Sequence, residues 1–254
     1  MNRPDWYKYG WSLDIKNSSW TEDTENQVEF IIKALGLKGG ERILDLACGY
    51  GRHALALARR GFKLVGVDIT PAYIEDATKS AALENLPARF ILSDIRDVSF
   101  DNEFDAVLNL ADGAIGYLEN DEENLKIFDV IAGALKPGGA HFMDVCNAAH
   151  ARLYFPKTNW ECGEKSLALA QFDWDEATRR MTYAGWNIPY GEPAQKPQIA
   201  MEDADPVRLY DLPELKEILR QRGMEVTAAY CDYCGGAATD REIQLMVCSR
   251  KRAR

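Results

Sequence analysis

Short apolar runs bounded by glycines or charges alternate along the chain with stretches whose apolar positions recur every three or four residues. Residues 21–36 have the second pattern: Glu22, Asp23 and Glu25 come early, Val28, Ile31, Ile32 and Leu35 form a stripe, and Gly36 ends it, predicting a helix. Residues 42–47 read as a buried strand, Cys48-Gly49-Tyr50-Gly51 as a glycine turn, and 52–60 as a helix stopped by Gly61. A second strand at 63–68 is followed by a helix with Thr70 as N-cap and Pro71 at its first position. Strands at 89–92 and 104–110, a helix at 121–135, a break at Lys136-Pro137-Gly138-Gly139 and a fifth strand at 140–145 continue the alternation. This order predicts an α/β fold, a doubly wound, seven-stranded, mostly parallel sheet covered on both faces.

The pattern changes over 147–209, which reads as an antiparallel β insertion after strand five. Residues 167–174 and 180–188 form a hairpin around Asp175-Glu176-Ala177, and a proline-rich stretch follows (Pro189, Pro193, Pro197, Pro206). Asp211 and Glu214 then stand at capping-box spacing before a helix that runs to about Arg222, with Gly223 behind it. Strands at 225–230 and 242–249 close the chain. The single domain 1–254 thus divides into an N-terminal lid and helix (1–36), a core (40–146), a substrate-capping insertion (147–209) and a terminal helix and strand pair (210–250). The insertion leaves the sheet at the carboxyl ends of its strands, where ligands bind in such folds.

Composition narrows the class. The 254 residues are 46% apolar and 28% charged, as in ordinary globular proteins, and carry a net charge of −10. That acid excess disfavours nucleic acid, which needs a basic face, and an anionic membrane surface. The chain has no apolar run long enough for a transmembrane helix, and Met1-Asn2-Arg3-Pro4-Asp5-Trp6 lacks the apolar core of a signal peptide. Six scattered cysteines do not make a disulfide framework, so a cytoplasmic enzyme with a small substrate is expected.

The glycine turn after strand one suits a ligand: glycines let the backbone approach closely, and the following helix presents unpaired N–H groups. Asp68, nineteen residues after Gly49 and at the end of strand two, is placed to accept both hydroxyls of a ribose. Ala54 stands where a dinucleotide fingerprint has its third glycine, a permitted variant. Asp45, however, sits inside the apolar strand just before the turn, where its charge would repel a pyrophosphate and tolerate a sulfonium or ammonium.

At this point the chain resembles the class I S-adenosylmethionine-dependent methyltransferases of small-molecule type. The matching segments are Leu44-Asp45-Leu46-Ala47-Cys48-Gly49-Tyr50-Gly51, Gly66-Val67-Asp68-Ile69, Ser93-Asp94-Ile95, Phe104-Asp105-Ala106-Val107 and Leu135-Lys136-Pro137-Gly138-Gly139, in family order and spacing. The resemblance implies that Ala47, Gly49 and Gly51 contact the methionine part of the cofactor through backbone. Asp68 would hold the ribose, Ile69 would pack on adenine, Asp94 and the Ile95 amide would meet its edge, and Leu110 would lie beneath the sulfonium. It also implies that the aromatic segment before the first helix (Trp6, Tyr7, Tyr9, Trp11, Trp20) closes over the cofactor, where ring faces suit a sulfonium.

Other positions carry open alternatives. Arg52 either pairs with the cofactor's carboxylate or lies on the helix surface; His53 reads as structural rather than catalytic. The loop after strand four offers Asp112 and Tyr117 as catalytic candidates on the acceptor side, and after strand five His150 is a candidate general base and Asn147 a candidate substrate contact. Tyr233, in the loop after strand six, and Trp160, Leu167, Leu169, Phe172, Trp174, Tyr183 and Trp186 of the hairpin would line or roof the acceptor pocket. The Cys231/Cys234 pair is too isolated for a zinc site, no metal is expected, and the basic end at 250–254 reads as solvated. Exposed insertion aromatics would serve equally well as a homodimer face.

The resulting expectation is transfer of a methyl group from S-adenosylmethionine to a nitrogen, less readily an oxygen, of a small molecule, with an amine favoured and S-adenosylhomocysteine as product. The rivals are an RNA methyltransferase, an NAD-dependent oxidoreductase and a non-catalytic S-adenosylmethionine-binding module.

Overall fold

A computed structural model describes residues 5–194 and 204–253. Pro197 of the proline-rich stretch, Met1 to Pro4 and Arg254 lie outside the described residues. The first sheet consists of β1 (Arg42–Leu46), β2 (Lys63–Asp68), β3 (Ala88–Leu92), β4 (Phe104–Asn109), β5 (Leu135–Cys146), β10 (Met224–Tyr230) and β11 (Gln244–Lys251). Its order is β10-β11-β5-β4-β1-β2-β3, and only β11 runs against its neighbours. β1 and β4 lie centrally, so Ile43, Leu44, Leu46, Val107 and Leu108 are fully buried, which explains strands that are apolar on both faces.

The helices are α1 (Thr24–Leu35), α2 (Arg52–Arg59), α3 (Pro71–Leu83), α4 (Asp121–Ala134), α5 (Ala148–Tyr154) and α6 (Leu212–Gln221). Asp211 caps α6 by accepting from Glu214 N, and Asn120 caps α4 by accepting from Glu123 N. Four local expectations are corrected. α1 starts at Thr24 because residues 19–21 form a 3-10 turn, and Thr70 stands at the N-cap of α3 without making a capping hydrogen bond. Lys136-Pro137-Gly138-Gly139 belongs to β5, whose register shifts between Phe104 and Ala106 of its partner and so absorbs the turn residues. The stretch 147–209 holds more than a hairpin: α5, β6 (Lys157–Cys162) and β9 (Pro206–Arg208) join β7 (Ser166–Asp175) and β8 (Arg180–Pro189). β6-β7-β8-β9 form a separate antiparallel sheet above the carboxyl ends of β4 and β5.

Candidate active site

At the carboxyl ends of β1, β2 and β4, the first sheet, the N-terminal segment and the second sheet enclose one cavity of about 660 Å³. Its volume is that of a site for a cofactor-sized ligand. The turn after β1 forms one wall. Ala47 and Gly49 both adopt left-handed backbone (φ +56° each), a conformation that costs a residue with a Cβ and recurs at ligand sites. Asp68 fixes this turn: one carboxylate oxygen accepts from Gly49 N and the other from Thr70 N, each at 2.8 Å. Two acceptor positions of the carboxylate remain for a ligand diol.

Asp45 lies under the turn, 2% exposed, with Oδ2 lacking any hydrogen-bond partner. Burial pushes its carboxyl up to about 7, against the opposing pull of Arg52. Arg52 Nη1 donates to Thr24 Oγ1 and Gln27 Oε1, and its guanidinium lies 5.4 Å from the Trp20 ring. Burial lowers its pKa, and it makes no ion pair among the described residues. His53 contacts the same Gln27 oxygen and is held neutral by burial, consistent with a structural part. An orphaned carboxylate oxygen, a free diol acceptor and an unpaired guanidinium are the groups that an amino-acid ammonium, ribose and carboxylate require. The donor set therefore fits S-adenosylmethionine.

Asp94 and Ile95 line the far end, where Asp94 is gripped by Arg96 through Nη2 at 2.6 Å. The N-terminal segment covers the cavity with Trp6, Tyr7, Gly10, Trp11, Ile15 and Trp20. Trp11 stacks on Tyr117, with ring centroids 6.1 Å apart. Tyr73 OH donates to Ser12 O, and Lys16 pairs with Asp76, holding this strap to α3.

Beyond Leu110 the chain enters an unusual turn. Ala111, Asp112, Gly113 and Ala114 all have φ between +52° and +66°, a left-handed turn in which three residues carry side chains. Asn109 supports it by donating to Gly113 O and Leu46 O. The turn aims Asp112 into the cavity, where Oδ1 accepts from Cys146 N and Oδ2 from Tyr117 OH at 3.2 Å. Burial raises both the Asp112 carboxyl and the Tyr117 hydroxyl. Phe172, Met181, Tyr183 and Val207 come down from the second sheet.

The cavity therefore brings together Tyr7, Trp20, Asp45, Ala47, Gly49, Arg52, Asp68, Ile69, Asp94, Ile95, Leu110, Asp112 and Tyr117. Gly51, His150, Asn147, Trp186 and Tyr233 are not among its lining residues, against expectation. Gly51 N is spent on Cys48 O, and an added Cβ would meet Phe90 and Ala77 at 3.0–3.1 Å, so this glycine serves packing. His150 Nδ1 faces Arg241 O and its ring stacks near Tyr154, while Asn147 caps α5 and donates to Thr239 O and Glu242 O. Trp186 is three residues from Tyr183 on β8, an odd step that puts it on the opposite face of the sheet, beside Leu169. The same alternation removes Trp160, Leu167 and Leu169 from the roof. Tyr233 hydrogen-bonds Asp144 and packs on Phe30 behind the cavity. Conversely, Cys146, Met181 and Asp205 line the cavity without any sequence signal that singles them out. The six cysteines are free, and among the described residues no His, Cys, Asp and Glu cluster suits a metal.

A family described as a methyltransferase domain matches residues 43–139. The cypemycin N-terminal methyltransferase of Streptomyces sp is 27% identical over 208 residues, covering 82% of each chain. Among solved structures, an S-adenosylmethionine-dependent methyltransferase from Clostridium acetobutylicum ATCC 824 superposes with a TM-score of 0.76 at 15% identity, covering 94% of this chain and 96% of that one. The sugar N-methyltransferase KedS8 from Streptoalloteichus sp ATCC 53650 gives a TM-score of 0.65 at 18% identity, with coverages of 97% and 96%.

Proposed function

Since the chain belongs to the class I S-adenosylmethionine-dependent methyltransferases, we propose that it methylates a nitrogen of a small-molecule amine, with oxygen the less favoured acceptor. One observation carries this reading: the cavity gathers the carboxylates of Asp45, Asp68, Asp94, Asp112 and Asp205 among aromatic faces, and Arg52 is the only Lys or Arg among its described lining residues. Such a site favours cations and disfavours anionic acceptors. The name of the cypemycin relative, an N-terminal methyltransferase, agrees with nitrogen.

Asp45 would hold the cofactor's ammonium, Arg52 its carboxylate, Asp68 its ribose and Asp94 with Ile95 its adenine. When bound, S-adenosylmethionine would supply an electrophilic methyl carbon on a sulfonium, whose leaving group is a neutral thioether. The chain's own work is to orient the acceptor and move its proton. An amine must present a free lone pair, and the nitrogen gains a positive charge as it takes the methyl group. Asp112, with its carboxyl raised by burial and steadied by Tyr117, takes the proton that the nitrogen then loses. The strap of Trp6, Tyr7 and Trp11 excludes water.

Two experiments test this reading. Calorimetric titration with S-adenosylhomocysteine and, separately, NAD is expected to show binding of the first alone; binding of NAD alone overturns it. Incubation with S-adenosylmethionine and a panel of amines and phenols, read by mass spectrometry, is expected to give methylated amines.

A further inference from the structure

We infer that the acceptor amine carries an apolar, arylalkyl body and neither a carboxylate nor a ring of hydroxyls. This rests on the nitrogen-methylation reading and adds the class of the molecule around the nitrogen.

The acidic groups of the acceptor half are Asp112, which Tyr117 contacts in the turn after β4, and Asp205, which directly precedes β9 at the edge of the roof. The rest of the roof is different in kind. Phe172 and Tyr183 are direct cross-strand partners, with centroids 5.2 Å apart, and Phe155 stacks on Phe172 at 5.1 Å. Met181 and Val207, also paired across strands, continue this apolar surface into the cavity. Trp6 and Trp11 present further rings from the strap, held against Tyr117. A flat or branched hydrocarbon body finds partners on each of these surfaces.

A substrate carboxylate finds none. Arg52, the only Lys or Arg among the described lining residues, is assigned to the cofactor's own carboxylate beside the β1 turn, and the charges facing the acceptor from the described residues are those of Asp112 and Asp205. Hydroxyls of a sugar would leave water to meet rings and a thioether, with most of their hydrogen bonds unmade. The cavity thus discriminates by what it withholds as much as by what it offers.

Calorimetry on the protein saturated with S-adenosylhomocysteine, titrated with 2-phenylethylamine, glycine, glucosamine and 4-ethylphenol, tests this. 2-Phenylethylamine is expected to bind at least about tenfold tighter than glycine or glucosamine. Tyr183→Ser and Phe172→Ser are each expected to weaken it by about fivefold while S-adenosylhomocysteine affinity stays unchanged. Tyr183 is 47% exposed, so its replacement does not threaten folding. Tighter binding of glycine or glucosamine overturns the apolar body and leaves nitrogen methylation standing. Tighter binding of 4-ethylphenol than of every amine overturns the nitrogen reading itself and the inference with it. Failure of all four to bind, with S-adenosylhomocysteine bound, also overturns the inference.

Discussion

Arg96 donates from Nη2 to the Tyr7 hydroxyl at 2.8 Å, and Tyr7 in turn donates to Glu119 at 2.8 Å. Arg96 also grips Asp94, so one guanidinium joins the strap over the cavity to the wall proposed for adenine. Trp11 Nε1 donates to Tyr7 O, which extends the hold along the strap. Tyr7→Phe removes hydrogen bonds to two charged groups and keeps the buried ring. S-adenosylhomocysteine affinity is expected to fall about tenfold, with faster amide exchange over residues 6–20. Unchanged exchange would show that the strap is held by its aromatic packing alone.

Asp68 serves two ends at once, since it braces Gly49 and Thr70 and keeps acceptor positions for a ligand. Asp68→Ala is expected to abolish S-adenosylhomocysteine binding by calorimetry. Wild-type affinity in that variant would remove Asp68 from the site.

Asp112→Asn keeps the shape of the left-handed turn and loses the proton acceptor. Turnover of an amine substrate is expected to drop by about a hundredfold with S-adenosylhomocysteine affinity unchanged. In the wild type, activity rises with pH as the raised Asp112 carboxyl ionises, and this limb of the pH profile should vanish in the variant. A profile that survives intact would assign proton removal elsewhere.

Asp45 gives a pH dependence of stability opposite to that of an ordinary surface carboxylate. Its folded pKa of about 7 lies above the unfolded value of 3.8, so between these values the folded chain binds the extra proton. Its contribution is therefore fully present below about 4 and is lost as pH rises through about 7. Asp144, pushed up to about 7 by burial, acts in the same direction. The melting temperature of ligand-free Asp45→Asn, relative to wild type, should accordingly rise between pH 5 and pH 8. Parallel melting curves across that range would mean that Asp45 does not titrate there. In the wild type, S-adenosylhomocysteine binding near pH 7 should release protons, measurable by calorimetry in buffers of different ionisation enthalpy.

Gly116, at φ +91°, approaches β9 so closely that an added Cβ would stand 1.9 Å from Arg208 O. Arg208 N donates to Gly116 O at 2.9 Å, so neither backbone can retreat cheaply. Gly116→Ala should destabilise by about 3 kcal/mol or more, lowering the melting temperature by about 6–12 °C. Gly61→Ala, strained at φ +89° with nothing within 4 Å, should cost only about 1 kcal/mol. Equal losses would show that backbone strain, and not the contact with β9, makes Gly116 necessary.

The cofactor half of the cavity was legible in the chain because its residues come from one local unit repeated along it. A strand that ends in a turn delivers its side chains to the sheet's carboxyl edge wherever that strand lies, so Asp45, Gly49 and Asp68 could be placed from their positions, and Asp94 followed from the family resemblance. Gly51 shows the limit: its left-handed φ fits the turn, and its neighbours Phe90 and Ala77 come from β3 and α3.

The acceptor half depended on long-range choices. The hairpin of β7 and β8 could be read from alternation, but which of its two faces meets the cavity could not, since shifting a strand by one residue exchanges them. Packing against α5 turns Phe172 and Met181 to the cavity, leaves Trp174 on the same face but outside the cavity lining, and puts Trp160 and Trp186 on the other side. His150 likewise follows strand five as expected, yet one turn of α5 carries it to the β11 side, onto Arg241 O. The sequence by itself determined the order of elements, the glycine turn and the acids at the strand ends, because these follow from local periodicity and backbone freedom. Only the tertiary structure decided the left-handed turn that aims Asp112, the inward face of the roof and the clasp of Arg96 on Tyr7, because each is set by contacts between segments far apart in the chain.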